Sequence, residues 1–130
     1  MWDLVSPDGK IKVVRHFSGH FASRDFAGSI DIPGWDFQTE NRLFVEPMVF
    51  SRNSRYLAAA EVVTNLGSYD SSARVVVFDF QQKKEWFVFT DESASIESLE
   101  WTADSLQMRV VSARLGQHEE LWTPRDFHFG

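Results

Sequence analysis

A chain of 130 residues with no cysteine can bury a core of its own, but it has no disulfide framework and no thiolate metal site. Its 43% hydrophobic and 15% aromatic content, with Phe 12 and Trp 5, is too apolar for a disordered chain and leans toward sheet. The net charge of −6 argues against direct nucleic-acid binding, because phosphates require a Lys/Arg surface.

The opening residues Met1 to Pro7 show no basic region followed by an apolar run, and no segment approaches the ~18 apolar residues of a membrane span. A single cytoplasmic domain over residues 1–130, with no membrane association, is the expectation.

In chain order, Val5-Ser6-Pro7-Asp8-Gly9 predicts a tight turn, since Ser and Asp side chains bond nearby amides and Gly tolerates unusual dihedrals. Strands are expected at Ile11–Phe17, Phe26–Ile32 and Asn41–Glu46, interrupted by Asp31-Ile32-Pro33-Gly34-Trp35-Asp36. The phrase then returns as Phe50-Ser51-Arg52-Asn53-Ser54. A strand over Met48–Ser51 precedes it, and one over Tyr56–Thr64 follows. Asn65 to Ser72 reads as a loop. Strands over Arg74–Phe80 and Glu85–Thr90 flank the turn Gln81-Gln82-Lys83-Lys84. The third copy, Trp101-Thr102-Ala103-Asp104-Ser105, lies between strands Ile96–Trp101 and Gln107–Ala113. A turn at Arg114–His118 and a strand at Glu119–Thr123 complete the series. The continuous apolar runs Val75–Phe78 and Trp86–Phe89 read as strands covered on both faces. Ala58-Ala59-Ala60 suggests close approach between layers.

The repeated phrase resembles the W-S-P-D-G-K motif of TolB-like and WD40-like β-propellers, most closely at Val5-Ser6-Pro7-Asp8-Gly9-Lys10. The later copies depart from it at Arg52 and Ala103, and at Ser54 and Ser105. The resemblance implies an all-β chain of about three antiparallel blades. Closed propellers use ~4–8 blades, so the implied molecule is an open, partial β-propeller with unshielded edges.

No catalytic centre is recognisable. His16 and His20 have helical zinc spacing but sit at a strand end and turn, and no third ligand stands near them. His118 beside Glu119-Glu120 and His128 beside Asp126 are His–acid neighbours with no serine elbow to serve. No phosphate-cradling glycine motif and no calcium loop occurs, so no cofactor or metal is expected.

Two features point to a protein partner. The segment Asp31 to Glu40 sets Trp35 and Phe37 among the carboxylates Asp36 and Glu40, which resembles an interface anchor in a polar surround. Its alternative is a loop folding Trp35 and Phe37 over an open edge, and Arg125 to Gly130 poses the same choice. The second feature is charge. Residues 91–130 hold three Lys/Arg against eight Asp/Glu, and Asp91, Glu92, Glu97, Glu100, Glu119 and Glu120 form the expected contact surface. In size and acidity the chain is similar to the small immunity proteins that bacteria use against delivered toxins. That likeness of type implies occlusion of a basic toxin domain, such as a nuclease. A scaffold domain that self-associates through open blade edges, as a homodimer, is the competing expectation.

Overall fold

The computed structural model describes residues 3–17, 27–35, 42–64, 71–91, 94–102, 105–112 and 116–123. Their regular structure is entirely β: β1 (Leu4–Val5), β2 (Lys12–Phe17), β3 (Ala27–Asp31), β4 (Leu43–Phe50), β5 (Tyr56–Thr64), β6 (Ser71–Asp79), β7 (Lys84–Asp91), β8 (Ala94–Trp101), β9 (Leu106–Ser112) and β10 (Gly116–Trp122). Every pairing is antiparallel. β1 to β7 follow one another in a seven-stranded sheet, and β8 to β10 form a three-stranded one. Among the described residues no helix is long and apolar enough to cross a membrane.

Alternation along β5 and β6 explains how these sheets pack. Tyr56, Ala58, Ala60, Val75 and Val77 turn to one side, where Ile96, Leu99, Trp101, Leu106, Met108, Val110 and Trp122 of the small sheet cover them. Leu57, Ala59, Val76 and Phe78 turn to the other side and pack with Val13, Ile30, Ile32 and Phe44. That second cover comes from the same sheet, folded over on itself. Laid flat, β3 and β6 would be roughly 14 Å apart, three strand spacings. Trp35, just past β3, nevertheless meets the Phe78 ring of β6 with centroids 5.8 Å apart. Among the described residues two pairs, Ala27 with Val45 and Gly28 with Phe44, join β3 to β4, which leaves the fold-over room to turn. The result is three layers, β1–β3, β4–β7 and β8–β10, with Val75 to Phe78 completely buried in the middle one.

Several sequence expectations need correction. The segments Asn41–Glu46 and Met48–Ser51 are one strand, β4, and its register shifts between Val45 and Met48. Pro47, which has no amide to give the ladder, sits at that shift. The expected loop through Ser72 ends sooner, because Ser71 and Ser72 pair with Thr64 and Val63. β10 starts at Gly116, not Glu119. Gly116 takes φ +67, so the chain can turn there and enter the ladder opposite Ser112. Finally, Trp86 to Phe89 do not share the burial of Val75 to Phe78. Among the described strands β7 lies at the sheet edge, and its Phe87 is 55% exposed.

Candidate functional site

The repeated phrase builds the same turn twice. Ser6 Oγ donates to Asp8 Oδ1 (2.6 Å) and accepts from the Ile11 amide (3.0 Å), while Asp8 Oδ1 also accepts from the Lys10 amide (2.9 Å). Ser51 Oγ donates to Asn53 Oδ1 (2.7 Å) and accepts from the Tyr56 amide (3.0 Å), while Asn53 Oδ1 accepts from the Arg55 amide (3.0 Å). Gly9 and Ser54 occupy equivalent left-handed positions, with φ 75 and 64. The third copy is tighter. Leu106 already pairs with Trp101, and the Thr102 amide donates to the Ser105 carbonyl (2.8 Å). Where the other copies have Lys10 and Arg55, this one has apolar Leu106, and the core takes it in at 0% exposure.

These turns lie along one rim. The Asp8 amide donates to Ser54 Oγ (3.0 Å), joining the first to the second. Trp101, at the third, donates its indole N–H to the Val49 carbonyl of β4 (2.9 Å) and stacks on Tyr56.

Two carboxylates are buried with their cations. Glu61 receives two-pronged hydrogen bonds from both Arg42 (2.9 and 2.9 Å) and Arg74 (2.9 and 3.1 Å), and Arg42 also reaches Glu85 (2.8 Å). Burial alone would raise the Glu61 carboxyl. The hydrogen bonds from Arg42 and Arg74, backed by their charges, outweigh it and hold the group below its ordinary value. Asp79 is gripped by Arg55 and also accepts from the Gln81 and Gln82 amides (3.0 and 3.2 Å). These groups are saturated by one another and fix strand register. The sequence reading did not single them out.

Among the described residues, one side of β8–β10 faces outward. The β10 pattern sends Gln117, Glu119 and Leu121 out and turns Trp122 into the core. Opposite them on β9 stand Val111, Arg109 and Gln107. β8 adds Glu100 and, at a bulge between Ile96 and Ser98, Glu97. Glu97 accepts from Gln117 (3.2 Å), and Glu119 accepts from Gln107 (2.9 Å) and Arg109 (3.5 Å). Among the described residues this face therefore carries three carboxylates, of which Glu119 alone is paired with Arg109, beside exposed Leu121 (66%) and Val111 (38%).

The expected contact residues separate accordingly. Glu97, Glu100 and Glu119 share this face. Glu120 alternates to the other side of β10 and meets His118 Nε2 at 3.3 Å. Asp91 ends β7, at the edge of the other sheet. Trp35 sets its ring edge-on against Phe78 and Phe80 and packs with the cluster around them. Asp36, Phe37, Glu40, Glu92, His20, His128 and the segment Arg125 to Gly130 lie outside the described residues. Val111, Leu121 and Arg109 were missed, although the alternation from Gln117 to Trp122 carries that signal.

His16 Nε2 lies 2.7 Å from Asp31 Oδ2 on the outer side of β2–β3. Among the described residues no three His, Asp or Glu groups converge as a metal site. No family model, no curated protein and no solved structure matches this chain.

Proposed function

We propose that this chain is a protein-binding module whose contact surface is the outer face of β8–β10, and that it neutralises a basic protein by covering its working surface. The observation that carries this reading is the mixed character of that face. Exposed Leu121 and Val111 supply apolar area for a lasting contact, and Glu97, Glu100 and Glu119 supply a field that favours a cationic partner. We read the three layers, with their turns along one rim, as blades of an open, propeller-like stack. The β8–β10 face is then the uncovered end of the stack. A toxin domain acting in the cytoplasm, such as a basic nuclease, is the partner class that suits an acidic inhibitor of this size.

The test is binding kinetics against the product of the adjacent gene, at low and high ionic strength. E97K/E100K/E119K should slow association about tenfold or more at low salt and flatten its salt dependence. L121A should instead speed dissociation, by about 1–2 kcal/mol in affinity. A complex indifferent to both changes would remove the face from consideration.

A further inference from the structure

Among the described strands β7 pairs with β6 alone, so it is an open edge of the seven-stranded sheet. The opposite edge, β1, is two residues long; β7 has eight. Its middle is Trp86-Phe87-Val88-Phe89, none of them fully buried and Phe87 more than half exposed. Proteins usually blunt such an edge with a lysine, a proline or a short strand. β7 has no proline, and its only lysine is its first residue, Lys84. A bulge opposite Val75 and Val76 bends the strand but leaves Phe87 more than half exposed, with Arg74 over one face of its ring at 4.3 Å.

The charges select what would pair with it. β7 opens on Lys84 and closes on Asp91, while Glu85 is occupied by Arg42 at 2.8 Å. A parallel copy of the strand would set lysine beside lysine and aspartate beside aspartate. An antiparallel copy sets the basic end beside the acidic end, twice, and lays the aromatic middles together. We propose that β7 is a dimerisation edge, pairing antiparallel with β7 of a second copy of this chain about a two-fold axis. Such an axis puts one residue opposite itself. Centred on Phe87, with Val88 the extra residue of the bulge on each copy, the pairing sets Phe89 against Trp86, Thr90 against Glu85 and Asp91 against Lys84, so no like charges meet. Centred on Val88, it would set Glu85 against Asp91. The Phe87 register is the one selected. This edge is not part of the β8–β10 face, so the two readings fail independently.

Sedimentation equilibrium of the purified chain tests the proposal. The wild type should dimerise at micromolar concentration. F87K should weaken self-association by about 100-fold or more; because Arg74 and Arg42 lie over the ring at 4.3 and 5.9 Å, the melting temperature should fall somewhat, and circular dichroism at the sedimentation temperature should still show the native sheet. L121K, the same change on the β8–β10 face, should leave the dimer intact. K84E should weaken it about tenfold, and K84E/D91K should restore it, since antiparallel pairing exchanges the two ends. A monomeric wild type, a dimer that survives F87K, or a double reversal no better than the single one would each overturn the proposal.

Discussion

Arg55, in the turn before β5, grips Asp79 at the end of β6 with two parallel bonds, Nε to Oδ1 and Nη2 to Oδ2, each 3.1 Å. The Asp79 side chain is 3% exposed and also accepts two amides of the following turn. The hydrogen bond to Asp79 raises the Arg55 guanidinium further above its ordinary value. One carboxylate therefore holds two turns at the same rim. D79A would strand a guanidinium and two amides, and it should cost about 3–5 kcal/mol in urea unfolding. R55K keeps the charge but loses the fork, and should cost less than half of that.

Acid should act through Glu61. Its folded value is depressed, so the stabilisation it gives is complete above its ordinary value of 4.5 and disappears as pH falls through the folded value. Stability measured by urea unfolding should therefore be flat from pH 7 to about pH 5 on Glu61's account and fall below that. E61Q should be less stable at neutral pH by about 3–5 kcal/mol, since it removes the buried anion that Arg42 and Arg74 share and leaves Arg42 with Glu85, and its acid limb should be shallower.

The two matched turns and the tighter third one should respond differently to loss of the leading hydroxyl. Ser51 is 6% exposed, and its Oγ both donates and accepts. S51A should cost about 1–2 kcal/mol. In the third turn the backbone bond from the Thr102 amide to the Ser105 carbonyl closes the corner, and the exposed Thr102 hydroxyl only adds a second, longer bond to that carbonyl (3.2 Å). T102A should stay within about 0.5 kcal/mol of wild type. Equal effects would show that the third turn depends on its hydroxyl like the others.

Trp35 should behave as a packing residue. Its ring sits 5.8 Å from Phe78 and 5.6 Å from Phe80, centroid to centroid. W35A should lower the melting temperature, with about 2–4 kcal/mol lost on unfolding. Binding to any partner of the β8–β10 face should be unchanged in variant that remains folded.

The all-β class and most strand positions were legible because turn phrases and apolar runs are local signals. What depended on neighbours was not legible. Val75–Phe78 and Trp86–Phe89 look alike as four-residue apolar runs, yet the first has a strand on each side and the second lies at an edge. Periodicity within a strand carries no information about whether another strand lies beside it. Glu61 is a similar case: its partners Arg42 and Arg74 are 19 and 13 positions away, and only the pairing of β4, β5 and β6 brings them together. The acidic face was half legible. Glu97, Glu100 and Glu119 converge as the charge count suggested, but the single-residue step to Glu120 crosses the sheet.

Ala58, Ala59 and Ala60 have a consequence for how the protein could change over time. Ala58 and Ala60 look toward β8–β10, and Ala59 looks toward Phe44 and Phe78. Each methyl sets the clearance on its own side of a shared wall. A bulkier side chain at position 59 would press into the side that β1–β3 covers, against Phe44 and Phe78 among others, and one at 58 or 60 into the side that β8–β10 covers. The two compartments can therefore accumulate substitutions separately, each compensated within its own side. The β8–β10 layer can change its packing and its outer face while the packing beneath β1–β3 stays as it is.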